Sequence, residues 1–216
     1  MFCIVKGKEP ASLTQYKKTK GAYFDGFTKK DDIRQALLEE QGYLCAYCMR
    51  RIKNVGEATI EHYLPQSKTD NAASLDFRYM LGVCKLNRNC LHKYQTCDAH
   101  RNNETLTIDP WSAYSISLIS YDQSNGNILS EDPDINRDLN VTLNLNCTEA
   151  HLPLNRKSAL AGLKKYILKL QRTGTWNDAI LCKVREHYLK KDNLGRYQPY
   201  IGILLWYIDK RIHKKK

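Results

Sequence analysis

The most constraining feature of this chain is the uneven distribution of its eight cysteines. Five of them lie between positions 45 and 97, whereas Cys3, Cys147 and Cys182 stand alone. The segment MFCIVKGKEP at the start lacks the apolar stretch of a secretory signal, so we expect a cytoplasmic protein with reduced thiols. Metal sites are commoner than disulfides in that compartment. We therefore expect the clustered cysteines to bind a metal ion.

The pair Cys45-x2-Cys48 has the spacing of a metal knuckle, because two thiolates at this separation can reach one ion from a tight turn. Redox chemistry is the usual alternative for such a pair, but no strand–CxxC–helix pattern of the thioredoxin type is apparent. A structural zinc needs two further ligands. The candidates are Cys84 and Cys97, with Cys90 and His92 as alternates. Free thiols are the competing interpretation.

The composition, 42% hydrophobic and 26% charged residues, is that of an ordinary globular protein. It excludes a wholly disordered or collagen-like chain. No apolar run approaches the ~18 residues of a membrane-spanning helix, so no membrane association is expected. Lys and Arg total 34 against 23 Asp and Glu, a formal net charge of +11. This excess favours a polyanionic partner such as nucleic acid, and a basic protein without one is the alternative.

Apolar periodicity and turn residues predict the secondary structure. In residues 31–42, Asp31 or Asp32 can cap a helix that Gly42 ends. Further helices are predicted over residues 155–172, roughly 176–191 and about 198–213, before the closing lysines 214–216. An extended segment is predicted over 57–67, an apolar run occupies 79–83, and a β-hairpin is predicted over 114–130 with its turn at Asn125-Gly126.

Glu61 and His62 stand side by side in the extended segment. Neighbouring side chains on a strand point to opposite faces, but a bent strand end can bring both to one site. Phosphodiester hydrolysis needs a water, a base that deprotonates it, and a cation that carries the developing charge. His62 suits the base, since an unperturbed imidazole has a pKa of about 6.5. Glu61 and Asp98 suit Mg²⁺, and a mere surface histidine is the alternative.

The order of these motifs resembles that of the HNH endonuclease superfamily. The matching residues are Cys45-x2-Cys48, Ile60-Glu61-His62-x2-Pro65, Cys84, and Cys97-Asp98-x2-Arg101-Asn102-Asn103. The resemblance implies a ββα-metal unit, in which a β-hairpin and a following helix surround one catalytic cation. In the members that carry cysteines, a structural zinc clamps the ends of that unit. The expected fold class is therefore α+β, with this unit followed by a β-hairpin and a mostly helical C-terminal region.

The resemblance also implies roles for individual residues. His62 matches the general base, and Glu61 matches the metal ligand that precedes it. Asp98 stands where the family has a second ligand to the catalytic Mg²⁺ or Mn²⁺. His100 is a rival for that role. On a helix these two residues would be about 200° apart, so only one should face the metal.

Two arginines are candidates for nucleic-acid contacts. Arg101 matches a basic residue that usually contacts phosphate in the family, and Arg78 lies near the site, with a solvated basic face as its alternative. The family usually has Asn where this chain has Tyr79, in the run Phe77-Arg78-Tyr79-Met80-Leu81. Because that Asn braces the loop that holds the base histidine, Tyr79 implies a different brace or a weakened site.

Weaker motifs extend the resemblance over nearly the whole chain. They are Ile4-Val5-Lys6-x-Lys8-x-Pro10, the lead-in Ile33-Arg34-x3-Leu38-x2-Gln41-Gly42-x2-Cys45-Ala46-Tyr47-Cys48, Leu143-Asn144-Leu145-Asn146, Leu152 to Arg156, and Tyr197 to Tyr207. Together they resemble the retron- and Septu-associated HNH nucleases (PtuB-like). That family implies an anti-phage effector that cleaves nucleic acid, expected to be DNA, with an ABC-type ATPase partner (PtuA-like). In retron systems a reverse transcriptase and its small DNA also take part, and ATP would bind to the partner, since no GxxxxGK[ST] loop occurs here.

We predict a lead-in segment over residues 1–40, the HNH unit over 41–110, and a C-terminal region over 111–216. The last region is a candidate partner surface, or a helical layer that completes the core. Two alternatives to a nuclease remain open. One is a catalytically inactive zinc-ribbon module that binds nucleic acid, and the other is an assembly subunit.

Overall fold

The computed structural model describes residues 1–65, 67, 70–171 and 176–212. Over these residues the chain is mostly helical with two small antiparallel hairpins, which confirms the α+β class. The helices are α1 (Ala11–Tyr16), α2 (Lys30–Glu40), α3 (Asn71–Ser74), α4 (Asp98–Arg101), α5 (Ala113–Ser117), α6 (Pro133–Arg137), α7 (Leu152–Leu170), α8 (Asp178–Leu189) and α9 (Ile201–Ile212). The strands are β1 (Ala58–His62), β2 (Met80–Cys84), β3 (Ile119–Tyr121) and β4 (Ile128–Ser130).

The first hairpin pairs β1 with β2, so that Ala58 faces Cys84 and His62 faces Met80. Every residue of β2 is buried, whereas in β1 Ala58 and Glu61 are buried and the other three residues are half-buried. Neighbouring side chains of a strand point to opposite faces of the sheet. This alternation gives Glu61 and His62 different surroundings although they are adjacent in sequence.

The buried amide of Gln41 fastens the end of α2 to this hairpin. Its Nε2 donates to the carbonyl oxygens of Leu44 and Gly82 at 2.8 and 2.7 Å, and its Oε1 accepts from the Gly82 N–H at 2.7 Å. A Cβ atom at position 82 would lie 3.3 Å from Gln41 Nε2 and from Leu37 Cβ. Gly82 therefore permits the close approach of helix and strand.

The predicted helix over 31–42 is confirmed as α2, but its predicted cap is wrong. Asp31 and Asp32 lie in the first turn, where their negative charges interact favourably with the helix dipole, and Lys29 occupies the N-cap position. At the other end, Gly42 has a φ of 61° directly after the C-cap Gln41, as predicted.

The hairpin predicted over 114–130 is correct at its turn and wrong at its start. Gly126 has a φ of 83°, and its N–H donates to the Asp122 carbonyl at 2.8 Å. The first residues of the range form helix α5 instead, because the Ser112 hydroxyl accepts from the Ser115 N–H at 3.2 Å and caps a helical turn. The pairing is limited to β3 and β4.

The three predicted C-terminal helices correspond to α7, α8 and α9. Helix α7 begins earlier than predicted, because Pro153 is well tolerated in a first turn. Residues 172 and 213 of the predicted ranges and lysines 214–216 lie outside the described residues. Among the residues that the structure describes, no helix combines the length and apolar character needed to cross a membrane.

One large cluster of buried hydrophobic residues contains members from all three predicted parts of the chain, 1–40, 41–110 and 111–216. It includes Leu38 of α2, Leu81 of β2, Leu163 of α7 and Ile208 of α9. Helices α7 and α9 therefore pack against the same core as the first hairpin. The division into segments and the partner surface stay predictions.

We expect Leu163→Ala to lower the free energy of unfolding by about 2–5 kcal/mol, because it leaves a cavity in this shared core. Leu163 is 1% exposed. The matched control is Leu168→Ala on the same helix, where the side chain is 48% exposed and the loss should stay below about 1 kcal/mol. Urea unfolding measures both, and equal losses would contradict the assignment of Leu163 to the core.

Candidate functional site

Four cysteines, Cys45, Cys48, Cys84 and Cys97, are buried together, with their sulfur atoms all within 4.8 Å of one another. The Sγ atoms of Cys45 and Cys97 are 3.8 Å apart, and those of Cys48 and Cys84 are 3.7 Å apart. A tetrahedral zinc with Zn–S bonds of about 2.3 Å requires sulfur separations of about 3.8 Å. The cluster is thus consistent with a structural zinc site, and the predicted grouping of these cysteines is confirmed.

Three separate segments supply the thiols. The first two come from a tight turn closed by hydrogen bonds from Cys45 N–H to the Arg50 carbonyl at 2.9 Å and from Met49 N–H to the Cys45 carbonyl at 3.0 Å. Met49 takes a φ of 62° to close this turn. Cys84 ends β2, and Cys97 directly precedes α4 with its N–H bonded to the Leu143 carbonyl at 2.9 Å.

The ionisation of each thiol in the cluster depends on the neighbouring thiols. Burial opposes ionisation of Cys45, but hydrogen bonds with the other three thiols and from the Cys48 N–H outweigh it and hold the pKa of Cys45 well below its usual range. Hydrogen bonding to Cys45 raises the pKa of both Cys48 and Cys97. The cluster therefore favours one thiolate, and a dication is what allows further thiols to ionise.

The alternate ligands lie elsewhere. Cys90 is exposed, and the imidazole of His92 stacks on that of His100 with ring centroids 4.3 Å apart. Within the described ranges, the four cysteines form the only group of three or more His, Cys, Asp or Glu residues close enough to share an ion.

The carboxylate of Glu61 is buried beside the cysteine cluster, at 6% exposure. Its Oε1 accepts a hydrogen bond of 2.9 Å from the Tyr47 hydroxyl, and Tyr47 lies between the first two cysteines of the cluster. The guanidinium of Arg101 forms an ion pair with the same oxygen. Asp98 is close enough to share a hydrogen bond with Glu61 when one of the two carboxyls is protonated.

The pKa of Glu61 is raised to about 8, first by burial and then by the Asp98 carboxylate, while Arg101 opposes both. Two carboxylates brought together in a buried place repel each other when both are ionised. A divalent cation between them would remove that repulsion, and carboxylates are the ligands that Mg²⁺ and Mn²⁺ prefer. The donor set therefore fits such an ion.

Arg101 is only 1% exposed. Besides Glu61, it donates to the Glu104 carbonyl at 2.7 Å, the Tyr63 carbonyl at 2.6 Å and the Tyr47 hydroxyl at 3.1 Å. These contacts occupy the guanidinium inside the protein and tie α4 to the end of β1. The predicted contact between Arg101 and a phosphate stays a prediction. The partners of Arg101 in the structure are buried groups of the protein itself.

His62 has different neighbours from Glu61. Its Nε2 lies 2.9 Å from the Ser74 carbonyl oxygen, and the Phe24 ring meets its imidazole edge to face at 4.4 Å. Burial lowers the pKa of His62, which keeps the imidazole neutral at pH 7, while the Asp98 carboxylate acts in the opposite direction. Asp98 therefore influences both His62 and Glu61, although these two side chains follow the alternation of the strand.

The carbonyl that contacts His62 comes from α3, an element that the sequence analysis missed. The Asp70 carboxylate accepts from the Ala73 N–H at 2.7 Å and caps this single turn, so that Ser74 lies at its end. An Asp followed by Asn-Ala-Ala-Ser is an N-cap signal that could have identified the turn. The Ser74 carbonyl thus contacts one nitrogen of the His62 ring directly.

Asp98 and His100 also differ in their surroundings. Asp98 opens α4, and its Oδ2 is paired with the Arg88 guanidinium. The Nδ1 of His100 lies 3.0 Å from the Thr142 carbonyl oxygen. The contacts of Asp98 reach Glu61, whereas those of His100 lead to Thr142 and His92, so it is Asp98 that adjoins the Glu61 carboxylate.

Arg78 and Tyr79 lie at the surface near the end of the hairpin. Arg78 pairs with the Asp76 carboxylate through its Nε at 3.0 Å and its Nη2 at 2.6 Å, and it is open to solvent. The ring of Tyr79 is 40% exposed and contacts Trp111. The Tyr79 side chain is therefore directed to a surface, and Arg78 remains a candidate for nucleic-acid contact.

Comparison with known proteins returned no matching family model and no matching curated protein. The chemistry of the site therefore has to be argued from its own residues. They comprise a buried tetrathiol cluster, an adjoining pair of carboxylates from β1 and α4, and the neutral imidazole of His62 on β1. This combination could hold a structural metal, bind a second cation and accept a proton from water.

We expect Cys84→Ser to remove tightly held zinc and to destabilise the fold by about 4 kcal/mol or more, as the loss of a structural metal does. The matched control is Cys90→Ser, because Cys90 is exposed and outside the cluster. Metal analysis of the purified chains and thermal unfolding measure the two effects. Retention of zinc by Cys84→Ser would contradict the assignment.

We expect Arg101→Ala to lower the free energy of unfolding by about 3–5 kcal/mol, because it removes a buried guanidinium and leaves the Glu61 carboxyl and the Tyr63 and Glu104 carbonyls without this partner. The matched control is Arg78→Ala, which removes a solvent-exposed arginine and should leave stability unchanged within experimental error. Chemical denaturation compares the two. A neutral effect of Arg101→Ala would show that the buried ion pair is not needed for the fold.

Proposed function

We propose that the chain is a metal-dependent HNH-type endonuclease that hydrolyses phosphodiester bonds of nucleic acid. One observation carries this proposal. The hairpin β1–β2 and helix α4 bring the Glu61 and Asp98 carboxylates together beside a buried tetrathiol cluster. The order of the sequence motifs, which resembles that of HNH endonucleases, supports the same conclusion, and the net charge of +11 suits a polyanionic substrate.

In this proposal Glu61 and Asp98 hold Mg²⁺ or Mn²⁺, and Tyr47 and Arg101 hold Glu61 in place. A divalent cation bound there supplies positive charge for the developing phosphorane. The observed side-chain contacts go to Glu61 Oε1 and Asp98 Oδ2, so each carboxylate has a second oxygen that can serve as ligand. Arg88 and Arg101 orient the two carboxylates through ion pairs.

His62 is the proposed base. In the tautomer that carries its proton on Nε2, the imidazole donates to the Ser74 carbonyl, and Nδ1 is the basic nitrogen. The lowered pKa keeps His62 unprotonated at neutral pH, so it can take a proton from the attacking water. Phe24 packs against the ring and restricts its orientation.

The tetrathiol cluster is proposed to bind a structural Zn²⁺. Cys84 ends β2 and Cys97 precedes Asp98, so zinc would clamp the hairpin against the start of α4. The wider setting rests on the resemblance alone. It implies a cytoplasmic anti-phage effector that acts on DNA with an ABC-type ATPase (PtuA-like), and in retron systems with a reverse transcriptase and its small DNA.

A second candidate function is a zinc-ribbon module that binds nucleic acid, or serves assembly, without cleaving it. It is favoured by the ion pair between Arg101 and Glu61, which occupies one oxygen of a proposed metal ligand. It is also favoured by Tyr79 at the position of the usual Asn. Under this alternative, zinc content is retained and no cleavage occurs.

We expect the chain to cleave plasmid DNA or tRNA with Mg²⁺ or Mn²⁺, and His62→Ala to lower the rate by about 100-fold or more, because the base is lost. The matched control is His151→Ala, an exposed histidine before α7 that should leave cleavage unchanged. Gel assays are run with and without the ATPase partner. Absence of cleavage in both, with zinc still bound, would contradict the nuclease and favour the second candidate.

A further inference from the structure

Three aromatic side chains, Tyr63, Tyr79 and Trp111, form a cluster at the end of the first hairpin. The Trp111 ring lies edge to face with Tyr63 at 5.1 Å and with Tyr79 at 6.2 Å between ring centroids. This aromatic cluster combines a residue that follows β1, a residue that precedes β2, and a residue beyond α4. Tyr79 is its most exposed tyrosine, with 40% of its surface open to solvent.

The aromatic cluster adjoins the proposed active site through backbone and side-chain contacts. Tyr79 directly precedes Met80, which is the register partner of His62. The Tyr63 N–H donates to the Tyr79 carbonyl at 2.9 Å, which extends the pairing beyond His62. The Tyr63 carbonyl accepts from Arg101, the residue that holds Glu61. Continuous contacts therefore lead from the carboxylate site to the exposed ring.

A cation lies next to that ring. The Arg78 guanidinium is 5.8 Å from the centroid of Tyr79, and its pairing with Asp76 holds it at the surface. An exposed aromatic face beside a positive charge is the combination with which proteins bind unpaired nucleotides. The base stacks on the ring, while the arginine contacts the adjoining phosphate.

We propose that Tyr79 stacks on an unpaired nucleobase, and that this contact directs the chain to single-stranded segments of nucleic acid. This inference rests on the proposed nuclease function and assigns its substrate class. In a duplex each base is already stacked between neighbours, so an external ring can reach a base face only after unpairing.

The competing explanation is that Tyr79 only packs against Trp111. The two explanations differ in one measurable quantity, the preference for a single strand over a duplex of the same sequence. Packing alone would affect stability and leave that preference unchanged. Stacking on a base would make the preference depend on the aromatic ring at position 79.

The test uses the full chain with His62→Ala, which prevents cleavage during binding. Fluorescence anisotropy measures its affinity for a labelled single-stranded DNA, the duplex of the same sequence, and the matching single-stranded RNA. The compared variants are Tyr79→Leu and Tyr79→Phe. The matched control is Tyr114→Leu, an exposed tyrosine on α5 that makes no ring contact with the aromatic cluster among the described residues. Zinc content and circular dichroism verify the fold of each variant.

We expect Tyr79→Leu to weaken single-strand binding by about tenfold, as loss of one stacked base does, and duplex binding by less than about twofold. Tyr79→Phe and Tyr114→Leu should bind like the parent. A 2-aminopurine placed in the single strand should be quenched by the parent and not by Tyr79→Leu. Equal affinities of the parent and Tyr79→Leu for the single strand, or equal losses on single strand and duplex, would overturn the inference.

The salt dependence of single-strand binding distinguishes the contribution of Tyr79 from that of Arg78. Tyr79→Leu should leave the salt slope of single-strand binding unchanged, because stacking involves no counter-ion release, whereas Arg78→Gln should make it shallower by about 0.7. The DNA and RNA arms identify the polymer. If the wild-type chain cleaves nucleic acid and Tyr79→Leu leaves cleavage and binding of single strands unchanged, the nuclease stands and the inference fails. If no cleavage occurs but single-strand binding depends on Tyr79, the nuclease fails and the stacking role stands.

Discussion

The packing of four thiols from three distant segments is the constraint on which the rest of the structure depends. The turn that contains Cys45 and Cys48, the end of β2 and the start of α4 meet at one buried point. Thiols buried this closely have little to gain from one another unless a metal ion binds them, since unionised sulfur forms only weak hydrogen bonds. The cluster thereby defines where the hairpin ends and where the short helix begins.

The carboxylate site is built on the same elements as the cluster. Asp98 directly follows Cys97, and Tyr47 stands between the first two cysteines while it donates to Glu61. Arg101 lies one turn further along α4 and pairs with the same oxygen of Glu61. Loss of the cluster should therefore disturb the carboxylates as well, because their positions follow from the backbone that the thiols hold. The Ser74 carbonyl and the Phe24 ring, which contact His62, come from other parts of the chain.

Much of the fold follows from local chemistry. The periodicity of apolar residues predicts the longer helices, and the pair Asn125-Gly126 predicts the turn of the second hairpin. These signals are local, because helix caps and glycines with positive φ act within a few residues. The same reasoning failed at α5, where the capping hydroxyl of Ser112 prevailed over an alternating pattern. It also failed for Asp31 and Asp32, which occupy the first turn of α2 instead of its cap. Short elements are sensitive to one hydrogen bond, so their type is difficult to predict.

The sequence by itself identified Cys45 and Cys48 as a metal-binding pair, since Cys-x2-Cys spacing is a local property, and it named Cys84 and Cys97 as further ligands with Cys90 and His92 as alternates. It also indicated an acid and an imidazole on one strand. The tertiary structure decided among the candidate metal ligands. Only the tertiary structure decided that Arg101 faces inward, because its partner Glu61 is 40 positions away and burial is a property of the packed molecule. The same holds for Ser74 at His62 and for the exposed ring of Tyr79. Such contacts depend on how separate segments meet, and no local pattern encodes them.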